Sequence, residues 1–197
     1  MGCGTALPSL AVLQWQLHDG NFSSGLSLSL ADYNPSVLQL VTVPNILLSW
    51  AMVRSGASWD SGGELDIGAE FLSAFKNDLA TRGVKLSFFS GAWGPQFVQH
   101  VSYVPKLDGS LLLILAAETI YSPAALVSFT ESLIDILEVE GDCEGSALVA
   151  AKKVYFGVGG SVEDFCDAVR ARDCLVEYVR EESVGVRRAV VEIKKLR

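Results

Sequence analysis

The sequence has few of the residues that most often announce chemistry. It holds two histidines, His18 and His100, and four cysteines, Cys3, Cys143, Cys166 and Cys174. No Cys-x-x-Cys pair and no histidine at metal-ligand spacing occurs among them, so the pattern excludes a zinc site or redox dithiol, no metal is expected, and the cysteines read as reduced thiols. Lys and Arg number 15 against 23 Asp and Glu, a formal net charge of -8. That balance excludes a broad basic surface for direct nucleic-acid binding and suits a basic partner instead. Although 50% of the residues are hydrophobic, no uninterrupted apolar run approaches the roughly 20 residues that span a bilayer. The apolar content is assigned to a core, with no membrane partner. The first residues carry no basic segment followed by an apolar signal core, so the expected location is cytoplasmic, nuclear or both. Internal repeats and low-complexity tracts are absent as well.

What is present alternates strands with helices, over 197 residues that suit a single domain. A Gly-x-Gly turn, "GCGTAL", opens the chain and Pro8 sits where a first helical residue would; Leu10, Leu13 and Leu17 follow at helical spacing, predicting a helix over 8–17. "LSLSLAD" alternates strictly and predicts a strand ending at Asp32, with a new helix starting near Pro35. The Ser- and Gly-rich stretch 53–63 reads as a surface loop. The spacing of Leu65, Leu72, Phe75 and Leu79 then predicts an amphipathic helix stopped at Gly83. "VKLSFF" is the next strand, ending in the turn "SGAW". "LLLILAA" has the look of a central parallel strand covered on both faces. A helix begins at Ser122 and Pro123, with Leu126, Phe129, Leu133 and Leu137 on its apolar face. "SALVAAKKVYF" predicts a strand running into the glycine bend "GVGG". The helix "VEDFCDAVRAR" and two strands, "CLVEYVRE" and "VRRAVVEIKKL", complete an α/β fold.

Ligands of open α/β sheets gather at the carboxyl ends of the strands. Four polar groups fall there: the opening glycine turn, Asp32, the turn from Ser90 to Trp93, and the segment from Glu118 to Tyr121. Glycines before a helix let a backbone approach a ligand whose negative charge the helix N-terminus favours. A carboxylate such as Asp32 has acceptors for two ribose hydroxyls. On these residues alone two readings stand, a nucleoside site, or a plain tight turn with Asp32 as a helix cap. Leu7 occupies the third glycine position of a dinucleotide fingerprint and speaks against NAD or FAD. Trp93 offers either an adenine-stacking face or a core side chain. Glu118, closing an apolar strand, needs a partner or water.

The strings "GCGTALPSL", "ADYNPSVLQLVTVPN", "FFSGAW", "AAETIYSP" and "LVAAKKVYFGVGGSVEDF", in this order, resemble the histidine protein methyltransferases. These are a branch of the seven-stranded, S-adenosylmethionine-dependent methyltransferases. The resemblance covers nearly the whole chain, and "ETIYSP" and "KKVYFGVGG" are its specific parts. It implies a Rossmann-like class I methyltransferase sheet with helices on both faces and S-adenosyl-L-methionine as cofactor. Gly2, Cys3 and Gly4 would then line the methionine and ribose, Asp32 would hold the ribose, and Ser90, Gly91 and Trp93 would flank the adenine. Glu118 and Tyr121 would be the catalytic pair facing the methyl group. Thr119, Tyr155, Phe156, Gly157, Gly159 and Gly160 would meet the incoming peptide. The implied reaction is N-methylation of a histidine ring in a basic protein, a large-subunit ribosomal protein in the family, by a monomer. A non-catalytic binding protein of the same fold, or a protein-lysine methyltransferase, is the alternative. The family's first, central strand precedes Gly2, so the expectation is of an N-terminally truncated single domain, with 53–82 a variable insertion. His18 and His100 lie in no matched motif.

Overall fold

The computed structural model describes residues 1–19, 25–56, 64–105, 109–139, 145–157 and 159–196. Cys143, Val158 of the glycine bend and 57–63 of the expected insertion lie outside the described residues. The chain divides into two compact units, an N-terminal one built on Cys3–Ser90 and a C-terminal one comprising Met1–Gly2, Gly91–Pro105 and Gly109–Arg197.

In the N-terminal unit, α1 (Leu7–Asp19) takes Pro8 into its first turn, where the missing N–H would have had no partner. Leu10, Leu13 and Leu17 form its buried stripe. Strands β1 (Leu26–Asp32) and β2 (Val84–Ser90) pair in parallel, from Leu26 opposite Val84 to Asp32 opposite Ser90. Between them α2 (Pro35–Val37) is capped by Asn34, whose side chain accepts from the Ser36 amide at 2.9 Å. It continues through a π turn (Leu38–Thr42) into α3 (Val43–Ser55). Pro44 has no N–H to give the carbonyl of Leu40, and the ladder slips to the wider π spacing just ahead of it.

The expected loop at 53–63 begins later than its composition suggests. The helix runs on to Ser55, and Gly56 in the left-handed conformation (φ +66°) ends it. Helix α4 (Ala69–Thr81) likewise starts after Leu65, so the first residue of that heptad-like pattern lies ahead of the helix. Pro35–Ser55 makes one helix of 21 residues with mean hydropathy 1.6, long and apolar enough by length and composition to cross a membrane. It holds no uninterrupted apolar run of that length, because Thr42, Pro44 and Asn45 fall within it. Here its Ile46 and Trp50 join Leu13, Leu30, Leu79 and Val84 in the core of the unit. Phe71 and Phe75 of α4 meet the Trp50 ring edge-on at 5.2 and 5.4 Å. The Trp50 indole N–H donates to Asp78 Oδ2 at 2.8 Å.

The C-terminal unit contains α5 (Pro95–Ser102), β3 (Leu112–Ala117), α6 (Pro123–Val139), β4 (Gly145–Lys152), α7 (Val162–Arg170), β5 (Cys174–Glu182) and β6 (Arg188–Lys195). The sheet order is β3-β4-β6-β5; β3 and β4 are parallel, and β6 runs antiparallel to both its neighbours. The α/β class therefore stands, with mixed sheets. Strand β3 departs from its expected central, doubly covered place. Among the described residues it pairs with β4 alone, and Leu111 and Leu113 are 74% and 50% exposed. Composition records a strand's hydrophobicity, not how many neighbours it has. β1 shares this one-neighbour status in its own unit. The strand predicted to reach Phe156 stops at Lys152, beyond which Val154 makes an isolated antiparallel bridge to Ser161. Helix α6 buries Leu126, Phe129, Leu133 and Leu137 as its spacing predicts, and Phe129 lies against Phe165 of α7 at 5.9 Å. Each such fully buried side chain stabilises the unit by roughly 1.5–3 kcal/mol.

Candidate functional site

Two clusters form at strand ends, one in each unit. In the N-terminal unit the opening turn is held from several sides. The Cys3 amide donates to the carbonyl of Ala31 at 2.9 Å, and the Gly4 amide to Asp32 Oδ2 at 3.0 Å. The fully buried Thr42 hydroxyl donates to the Gly4 carbonyl at 2.7 Å, and Asn45 Nδ2 to the Thr5 carbonyl at 3.0 Å. Asp32 Oδ1 accepts from the Asn34 amide at 3.1 Å. Asp32 thus anchors the turn and is not the helix cap, a role taken by Asn34, while a carboxylate's four acceptor positions leave it capacity for two hydroxyls. Burial raises the Cys3 thiol above its ordinary pKa, so Cys3 is a neutral packing group rather than a nucleophile. A Cβ on Gly4, whose φ is +49°, would meet nothing within 4 Å. The backbone there is open to a ligand beside a pinned carboxylate. Ser90 is exposed at the end of β2.

In the C-terminal unit Glu118 follows β3 with φ +55°, a conformation that costs a non-glycine residue about 1–2 kcal/mol. Its amide still donates to Ala150 of β4 at 2.9 Å, and the turn throws its side chain off the strand end. The Tyr155 hydroxyl donates to Glu118 Oε2 at 2.9 Å, and Arg188 Nε stands 3.5 Å from Oε1. Burial first, and then the hydrogen bond to Glu118, push the Tyr155 phenol up to about 12. Thr119 is buried and its hydroxyl finds no partner among the described residues. Tyr121 and Phe156 are exposed, Phe156 to 92%.

The two most specific strings of the sequence prove to be neighbours. Tyr155 reaches Glu118, and the Tyr155 amide donates to the Gly160 carbonyl at 3.2 Å, closing the glycine bend into a loop. A Cβ on Gly160 would stand 2.6 Å from the carbonyl of Ile120, and one on Gly159 3.3 Å from Pro123. Gly2, grouped with this unit, approaches Thr119 so closely that a Cβ would lie 2.7 Å from Thr119 Cγ2. Glu118, Thr119, Tyr155, Gly159, Gly160 and Gly2 are therefore brought together, whereas Gly157 meets nothing within 4 Å. Gly91, at φ +132°, leads to Trp93, which packs edge-on against Phe97 of α5 at 4.8 Å. Sequence reasoning did not reach Thr42, Asn45 or Arg188. The first two fall inside the matched string "ADYNPSVLQLVTVPN"; for Arg188, 70 residues from its partner, no local signal exists.

Pinned strand-end carboxylates beside glycine turns place the molecule among α/β domains that take ligands at the carboxyl ends of their strands. No family model matches the chain. It is 37% identical over 179 residues to histidine protein methyltransferase 1 of Saccharomyces cerevisiae, covering 84% of this chain and 47% of that protein. With the protein of the same name from Schizosaccharomyces pombe it shares 34% identity over 84% of this chain and 46% of the relative. The Bos taurus homologue is 28% identical over 98% of this chain and 47% of its own. Among solved structures the N-methyltransferase NodS of Bradyrhizobium japonicum is similar at 11% identity and a TM-score of 0.35, covering 97% of this chain and 98% of that one, too distant to bear on function. The chain belongs to the histidine protein methyltransferase family. It spans about half the length of the curated relatives it matches.

Proposed function

We propose that the protein is an S-adenosylmethionine-dependent protein-histidine N-methyltransferase whose acceptor is a histidine of a basic, ribosomal protein in the cytoplasm or nucleus. Membership of the family supports the class of reaction. The observation that carries the site assignment is Glu118, a carboxylate turned off a strand end and held by Tyr155 with its side chain still 42% exposed.

The residues present fit the cofactor. Within the N-terminal unit, open space over Gly4 beside the anchored Asp32 suits a ribose. When bound, the cofactor supplies an electrophilic methyl group on a sulfonium. Asp32 would hold its hydroxyls, with Cys3, Gly4 and Ser90 of the same unit beside them. The acceptor must be a neutral imidazole, because only that form has a free ring lone pair. With an ordinary pKa of about 6.5 much of it is neutral at cellular pH. The work left to the protein is orientation. Glu118 would accept the hydrogen bond of one ring nitrogen, leaving the lone pair of the other free for methylation, and its charge would stabilise the imidazolium product. The exposed rings of Tyr121 and Phe156 offer flat apolar surface to the peptide.

Methyl transfer from S-adenosylmethionine to purified large-subunit ribosomal proteins, with mass spectrometry to place the label on histidine, tests the reading. Glu118→Gln and Tyr121→Phe are expected to lower turnover at least tenfold. Full activity in both variants removes the catalytic assignment. One observation favours a second reading, a binding protein without turnover: both Asp32 oxygens already accept backbone amides. Calorimetric titration with S-adenosylhomocysteine separates the two, since an empty fold gives no heat.

A further inference from the structure

Glu118 is held by more than its own strand. Tyr155 is 7% exposed, and its hydroxyl has one proton to donate. The backbone amide of Lys152 stands 3.3 Å from that hydroxyl and is itself only a donor, so the oxygen accepts from Lys152 and its proton turns to Glu118 Oε2. On the other side Arg188, the first residue of β6, faces Oε1 at 3.5 Å. The register of the sheet sets this placement, since Arg188 lies opposite Lys152 on β4 and opposite Glu182 on β5. Glu182 is bound by Arg180 and Glu181 by Lys153, which leaves the Arg188 guanidinium to Glu118. The Lys152 ammonium lies 5.5 Å from the Tyr155 ring centroid and fixes the ring from above. Each oxygen of Glu118 thereby has one fixed neighbour and keeps a lone pair for an incoming donor.

We propose that Tyr155 and Arg188 are positioning residues that fix the rotation of the Glu118 carboxylate, and that this orientation selects which ring nitrogen of the acceptor histidine is methylated. The selection rests on the histidine reading above; the clamp itself does not. A carboxylate free to rotate would accept from either ring N–H and present either lone pair to the methyl group. One fixed between a phenol and a guanidinium accepts along a single direction, so one tautomer of the ring fits and one product forms. Both act through Glu118, the side chain that each of them contacts.

Two measurements test the proposal on the intact chain. The first needs no activity: tyrosine labelled at Cζ reports the Tyr155 titration by NMR, expected near 12 in the unaltered protein. Glu118→Gln removes an anion and moves the midpoint down, whereas Arg188→Gln removes a cation and moves it up. A midpoint unmoved in both variants overturns the clamp whatever the activity. The second is the ratio of the two methylhistidine isomers formed on the same substrate. Tyr155→Phe and Arg188→Gln are expected to give both isomers, with kcat reduced about ten- to a hundredfold and KM little changed. Arg188→Lys, which keeps the charge, restores most of the selectivity. A single isomer in every variant overturns the selection. Absence of histidine methylation in the unaltered protein, with the Tyr155 shifts as expected, removes the histidine reading and leaves the clamp standing.

Discussion

Glycine is required at Gly160 for two separable reasons, and comparison with Gly157 pulls them apart. Both have positive φ, +92° and +82°, so any side chain at either position is strained. Only at Gly160 would a Cβ also collide with backbone, the carbonyl of Ile120 at 2.6 Å. Gly157→Ala should therefore cost about 1–2 kcal/mol, the conformational term alone. Gly160→Ala should cost roughly twice that, because the loop must lift off Ile120. Urea denaturation midpoints check the stabilities. Since the Tyr155 amide is bonded to the Gly160 carbonyl, the same lift should disturb the Tyr155–Glu118 contact, and Gly160→Ala should move the Tyr155 titration where Gly157→Ala leaves it in place. Equal effects of the two substitutions would show that the bend is a turn and nothing more.

Elements join in the N-terminal unit through one carboxylate. Asp78 of α4 accepts from Trp50 of α3 and from Arg82 at 3.1 Å, and Arg82 also donates to the Leu17 carbonyl at the end of α1. Burial opposes ionisation of Asp78, but the hydrogen bonds from Trp50 and Arg82 outweigh it and hold the carboxyl below its usual range. A depressed folded pKa contributes stability that is full above the unfolded value, about 3.9, and is lost as pH falls through the folded one. Thermal melts of Asp78→Asn and the unaltered protein should differ at pH 7 and converge as the pH falls through the depressed folded pKa of Asp78. A gap that persists in acid would mean that shape, and not charge, makes the junction. The elements themselves were largely legible, because the stripes of α1 and α6 and the alternation in β1 are local patterns. Helix α5 was not. It is eight residues long, with Phe97 and Val98 as its buried pair, too short for a period to emerge. Pro95 after Gly94 was the signal present. The continuity of the Pro35–Ser55 helix was hidden by Pro44, which looks like a break and proves to be a π turn.

At the scale of the molecule, each strand-end cluster closes within its own unit, and what sequence could not supply is pairing at long range. The glycine turn and Asp32 were named from type and position, and Gly4 does bond Asp32. "ETIYSP" and "KKVYFGVGG", named separately, meet through Glu118 and Tyr155. Arg188 and Thr42 stayed invisible because sheet register and helix phase, not spacing, bring them to their partners. Charge is the remaining property of the whole. The net -8 is unevenly spread: most of the 23 acids precede Gly145 and most of the 15 basic residues follow it. The strand ends around Glu118 accordingly carry Lys152, Lys153, Arg187 and Arg188. On the proposed reading, a basic substrate protein would be drawn by the overall field and repelled by this rim. Beyond a Debye length of about 10 Å at 0.1 M salt the two effects are screened apart. If the long-range field governs encounter, kcat/KM toward a lysine-rich ribosomal protein should fall several-fold between 50 and 300 mM salt while kcat stays level. Short histidine peptides of zero net charge should show no such slope. A rate that climbs with salt would mean that the rim dominates, and would point to an acidic segment around the acceptor histidine in place of a basic one.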